Sequence, residues 1–133
     1  RAMFLLDTNT LIYLFKQQGQ VAAHLQSHSA HEVFIPSVVL FELEYGVLRS
    51  TRPAQQRAGI DLALKAYGVV GMDYASAKAA ASIKHTLEMA GTPIGPCDQL
   101  IAGIAVAKDM TLITRNTREF ERVPGLRVEN WFE

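Results

Sequence analysis

The sequence predicts an α/β protein, a three-layer α/β/α sandwich with a central parallel sheet. Two observations carry that prediction. Short uninterrupted apolar runs (MFLL at 3–6, VFIP at 33–36, MTLIT at 110–114) suit strands buried on both faces of a sheet. The stretches between them show helical periodicity, and strands separated by one or two helices pair in parallel. At 133 residues, the chain has the length of one domain (1–133) with one core.

In order along the chain, MFLL forms the first strand and ends at Asp7, after which Thr8 or Asn9 caps a helix over 10–16. VFIP is the second strand, stopped by Pro36. Ser37 is the expected cap of a helix running to Arg49, because Val38, Phe41, Tyr45 and Leu48 recur at helical spacing. Thr51 and Pro53 begin another helix that ends near Tyr67. GVVGM (68–72) reads as a strand, and Tyr74 to Ala90 as an Ala-rich helix closed by Gly91. After Gly95 and Pro96 comes a helix from Cys97 to Lys108 with Ile101, Ile104 and Ala105 inward. MTLIT, a helical turn at 117–121 and a strand near 126–128 complete the sequence.

Composition narrows the function. With 49% hydrophobic and 20% charged residues the chain is expected to fold rather than to stay disordered. No apolar run approaches the roughly 20 residues of a membrane span, and no charged-then-apolar leader opens the chain, so a cytoplasmic location away from membranes is expected. Cys97 is the single cysteine, so neither an internal disulfide nor a thiolate metal cluster can form. The formal net charge is zero, so any nucleic acid must be held by a local patch, by metal ions or by a partner. The four histidines lack zinc-ligand spacing, and His24, His28 and His31, in a polar stretch, are expected to form a solvated face. Neither a glycine-rich phosphate loop nor a Gly-x-Ser-x-Gly turn is present.

Sites in parallel sheets collect at the carboxyl ends of strands, which draws attention to the acids there. Asp7 ends the first strand, either as a helix cap or as a charge that a cation must compensate. Glu42 shares a helix face with Val38, Tyr45 and Gly46; it either pairs with Arg49 or solvent, or belongs to a site. Glu44, on another face with Leu40 and Leu48, reads as a surface residue. Asp98 stands in the first turn of its helix, where the dipole favours an acid whatever its role. Asn116 and Glu119 follow the MTLIT strand, and Glu121 reads as part of a solvated turn. Together Asp7, Glu42 and Asp98, with Asn116 or Glu119, offer hard oxygen donors from four segments. Such a set suits Mg²⁺ or Mn²⁺.

Four motifs, LLDTN (5–9), FELEYG (41–46), GTPIGPCDQLIAG (91–103) and TRNTREFERVPGL (114–126), together resemble the VapC-type PIN-domain ribonucleases, the toxins of bacterial toxin–antitoxin pairs. The resemblance spans Phe4 to Trp131. It implies an α/β/α sandwich that hydrolyses RNA phosphodiesters with Mg²⁺, or Mn²⁺ in its place. It further implies that Asp7, Glu42 and Asp98 hold the metal. The family's further acid falls at the Asn116–Glu119 turn. Many relatives carry Asp where this chain has Asn116, which leaves Asn116 as a neutral ligand and Glu119 to supply the missing charge. Thr8, Asn9, Thr114, Arg115 and Arg118 are the expected contacts to substrate or to the ligands. The substrate implied is RNA, with transfer RNA among the targets of similar proteins. The partners implied are a second copy of the chain and a VapB-type antitoxin, which would place an Arg or Lys among the acids. Tyr13, Phe15, Leu48 and Tyr67 would supply the apolar part of that interface, unless they fill the core or a dimer contact. A rival, an α/β module that binds Mg²⁺ without hydrolysis, would want its second acid at a strand end, whereas Glu42 falls within a helix.

Overall fold

In the computed structural model, which describes residues 2–133, five short strands form one sheet in the order β3-β2-β1-β4-β5, every pairing parallel. The elements are β1 (Phe4–Leu6), α1 (Thr8–Phe15), α2 (Val21–Gln26), β2 (Val33–Pro36), α3 (Ser37–Arg49), α4 (Pro53–Ala66), β3 (Gly68–Val70), α5 (Tyr74–Met89), α6 (Pro96–Ala107), β4 (Thr111–Ile113), α7 (Thr117–Phe120) and β5 (Val128–Glu129). The chain runs outward from β1 to β3, then crosses back to β4 and β5 on the other side. Right-handed crossovers place helices from the two directions on opposite faces, giving the expected three layers. β1 is central, with Phe4 beside Val33 on one side and Thr111 on the other. Its three residues are buried, as a strand covered on both faces requires. No helix among the described residues is long and apolar enough to cross a membrane.

The order reverses between β1 and β4, and there the two outgoing connections diverge. That is where an open parallel sheet leaves a crevice at its carboxyl edge. Asp7 continues β1 into this crevice, its amide donating to the Ile113 carbonyl at 3.1 Å. The cap of α1 is Asp7 rather than Thr8 or Asn9, since its side chain accepts from Thr10 N. Ser37 is the first helical residue of α3, behind Pro36, and α4 starts at Pro53 behind Arg52 without a side-chain cap.

The core side of α3 is Val39 and Leu43, which are buried, whereas Phe41, Tyr45 and Leu48 are 65%, 54% and 85% exposed. One expectation needs correction: the histidines are not a solvated face. His24 and His28 stack on the buried Trp131 ring at centroid distances of 5.5 and 5.1 Å, and of these three His31 alone is left exposed. On the other face of the sheet, α5 and α6 touch backbone to backbone. A Cβ on Gly103 would stand 2.6 Å from that of Ala80, so only glycine permits this approach.

Candidate active site

Each acid reaches the crevice by a different route. Asp7 is carried in by β1 and is 6% exposed. Its Oδ1 accepts from Thr10 N at 2.9 Å, and Thr10 in turn donates its hydroxyl to Ile113 O at 3.1 Å. Burial pushes the Asp7 carboxyl above its usual value, against hydrogen bonds from Thr10 and Thr114 that pull it down. Glu42 comes from the second turn of α3. Its Oε1 accepts from the Thr8 hydroxyl at 2.5 Å, so its partner is Thr8 and not Arg49, which lies over the Tyr45 ring. Asp98 comes from the first turn of α6, and Glu119 from α7.

Asp98 shows what this convergence does. Its carboxyl is pushed up to about 7, first by burial, then by the charge of Glu119 and the hydrogen bond between the two groups, then by Glu42 and Asp7. The four carboxylates therefore feel one another. No ion pair among the described residues relieves them; the pairs that form use Glu44, Glu88, Asp73 and Asp109 instead. Cys97 is close enough to Glu42 and Asp98 to feel both, and burial followed by those charges holds its thiol above the ordinary range.

As the side chains stand, no three His, Cys, Asp or Glu groups among the described residues are close enough to hold an ion. The reason is visible in their present partners. Asp7 is turned to Thr10, Glu42 to Thr8, and the Asn116 side-chain amide donates to Glu119 Oε2 at 2.7 Å. The donor set nonetheless fits a hard divalent cation. It is all oxygen, it comes from four separately anchored segments, and its carboxylates lack any countercharge of their own.

The expected substrate contacts divide. Asn9 and Arg115 are exposed and, with Asp7, Tyr13 and Asn116, line a hollow beside the acids. Thr8 is occupied by Glu42. Thr114 is not a surface contact: it is fully buried, and its hydroxyl accepts from Asn116 N at 3.0 Å behind Asp7. Arg118 is exposed on α7 and lines neither this hollow nor the groove described next. That groove, about 510 Å³, runs between α1, α3 and α4, with Phe15, Leu43 and Ile60 against Lys16 and Arg52, and Glu42 in its wall. Thr10, Tyr13 and Phe132 were not singled out for this site. For Thr10 a signal existed in its spacing three residues after Asp7; Phe132 is remote in sequence and gave none.

Comparison with known proteins identifies the family. The PIN domain family matches residues 4–126. The chain is 36% identical over 128 residues to the tRNA(fMet)-specific endonuclease VapC of Salmonella typhimurium, covering 96% of this chain and 97% of that one. It is 33% identical over 131 residues to ribonuclease VapC2 of Rickettsia felis, covering 97% and 98%. Among solved structures it is similar to the DNA-bound VapBC of Salmonella typhimurium, with TM-score 0.91, 35% identity and coverage of 98% and 99%. With a parallel sheet in this order, acids gathered at its switch point and relatives matched along nearly their whole length, the chain belongs to the PIN-domain family, among its VapC ribonucleases.

Proposed function

We propose that this protein is an Mg²⁺-dependent endoribonuclease, with Mn²⁺ able to substitute, acting as the toxin of a VapBC pair in the cytoplasm. One observation carries the metal-dependent part of this reading: four carboxylates from distant segments crowd one crevice without a countercharge, and burial together with their charge holds one of them near neutrality. A divalent cation bound there supplies countercharge to the phosphate and an acidified water as nucleophile. Asp7, Glu42 and Asp98 would hold it, with Asn116 giving a carbonyl oxygen and Glu119 a further charge.

The chain's own residues do the rest. Thr10 and Thr114 hold Asp7 from behind, Thr8 fixes Glu42, and Asn116 ties down Glu119. A cation held there would offset the burial and like charge that raise Asp98, and keep it ionised as a ligand. Attack by water leaves a 5′-phosphate and a 3′-hydroxyl. Transfer RNA is the proposed substrate, in line with the relative named for its action on tRNA(fMet).

The solved relatives are VapBC assemblies, one of them bound to a DNA fragment from their promoter. Here a VapB-type antitoxin would lay an apolar segment in the groove of α1, α3 and α4. That segment would bring a cation to Glu42, at the groove wall. Of the residues first expected at that interface, Leu48 is exposed, while Tyr13, Phe15 and Tyr67 pack against the protein's own core, Phe15 also lining the groove. The exposed Phe41–Tyr45–Leu48 stripe is offered to a second copy.

The test is cleavage of purified transfer RNA with Mg²⁺ or Mn²⁺, with EDTA, and by Asp7→Ala. Metal-dependent cutting that Asp7→Ala abolishes is expected, and co-expression of the adjacent gene's product should suppress it. Full activity in excess EDTA rules the mechanism out.

A further inference from the structure

The hollow beside the acids is built from residues that the hydrolytic chemistry leaves unexplained. It measures about 320 Å³ and is lined by Asp7, Asn9, Tyr13, Arg115 and Asn116. Arg115 is exposed, yet it is held in place. Its guanidinium carbon lies 3.6 Å from the centroid of the Phe132 ring and 5.5 Å from that of Tyr13, and Nη1 donates to the Tyr13 hydroxyl at 3.5 Å. Tyr13 and Phe132 meet edge to face at 4.8 Å.

Phe132 is itself anchored on three sides. Its carbonyl accepts from Gln20 N at 2.8 Å, and its amide donates to Asn130 Oδ1 at 2.9 Å. Its ring fills the space where a Cβ on Gly19 would stand, 2.6 Å away. Gly19 has φ +66°, so glycine is favoured there by conformation as well as by space. No ion pair among the described residues engages Arg115. A long side chain fixed on a ring has given up rotamer freedom while keeping its charge and the edge of its fork for a ligand.

We propose that this hollow seats the RNA phosphate next to the one being cut, with Arg115 as its ligand and Phe132 as the residue that positions Arg115. The inference rests on the ribonuclease reading above. The lining favours a phosphate over a base: the Arg115 guanidinium, the Asn9 amide and the Tyr13 hydroxyl are donors, and the fork of Arg matches phosphate oxygens in pairs. The face of Phe132 on which a base could stack is already covered by Arg115. The volume lies at the small end of ligand sites, about right for one nucleotide. Asp7 belongs both to the hollow and to the acid cluster, so a strand reaching the reacting centre passes directly through it.

The experiment measures binding without cleavage: anisotropy of a short labelled single-stranded RNA in EDTA, across a salt series, using the full chain. Arg115→Gln should weaken binding roughly tenfold and lower the salt slope by about 0.7, the value for one lost phosphate contact on a single strand. Phe132→Leu keeps bulk but removes the aromatic face. It should weaken binding roughly threefold with the slope unchanged, and Phe132→Tyr should restore it. In metal-supported cleavage, the Phe132→Leu loss should fall on KM more than on kcat, which a general loss of folding would not produce. Wild-type affinity and slope for Arg115→Gln, or equal binding by the Leu and Tyr variants, overturns the proposal. If the wild type binds RNA through Arg115 but cuts none, the seat stands and the ribonuclease reading alone falls.

Discussion

The two walls of the crevice hold their acids in opposite ways. On the β1 wall, Asp7 is nearly inaccessible, but the Thr10 backbone amide and the Thr114 hydroxyl answer it. On the α6 wall, Asp98 is less buried and meets mainly other carboxylates. The first acid is paid for by the fold; the second is left for something else to neutralise. Burial alone therefore does not identify a ligand. What separates the two is whether donors accompany the charge.

The largest effects should come from removing either acid. Asp7→Ala and Asp98→Asn should each lower RNA cleavage by about a hundredfold or more, since even losing a group behind a ligand costs that order. Their metal-free stabilities should move in opposite directions. Asp7→Ala removes the cap of α1, worth about 1 kcal/mol, and should lower Tm by a few degrees. Asp98→Asn relieves repulsion and should raise Tm at pH 8. Melting both variants in EDTA decides the matter, and a fall for both would erase the contrast.

Acidity sharpens the same contrast. Asp98 titrates near 7 in the folded protein against an ordinary 3.8. Between those values the folded state holds the extra proton. Its contribution to metal-free stability is therefore complete below the ordinary value and is lost as pH rises through about 7. Mn²⁺ affinity should run the other way, rising towards pH 8 as that proton leaves, and calorimetric titration at several pH values checks this. Asn116→Asp should tighten Mn²⁺ by adding charge, while lowering metal-free Tm because Glu119 loses a donor and gains a like charge. Least of all should happen at Glu44. Its pair with Arg57 is exposed, so Glu44→Ala should leave cleavage unchanged and Tm within about a degree.

Much of this was legible in the sequence. The buried strands announced themselves as unbroken apolar runs, and Asp7 and the Asn116–Glu119 turn stood at the carboxyl ends of two of them. Three things were not legible, each for a physical reason. Periodicity reports that a helix has an apolar face but not which way it turns, so the outward direction of the Phe41–Tyr45–Leu48 stripe of α3 was not readable from it. Composition reports a polar stretch but not a distant ring, so the stacking of His24 and His28 on Trp131 was hidden across more than a hundred residues. The support of Arg115 by Phe132 likewise joins two loops that only the finished sheet brings together.

The strand order also governs when the chemistry can exist. β1 is made first yet sits in the middle, and one of its edges stays open until β4, more than a hundred residues later, pairs with it. Closing so long a loop is entropically costly, which puts this pairing late among folding events. Asp98 reaches the crevice on the helix that feeds β4, and Thr114 backs Asp7 only when β4 is seated. A partly folded chain thus has a sheet edge ready to aggregate and no assembled acid cluster. Catalytic competence arrives in the same step that closes the last exposed edge of β1, so hydrogen-exchange protection of Leu5 and Leu6 should appear together with the first metal binding.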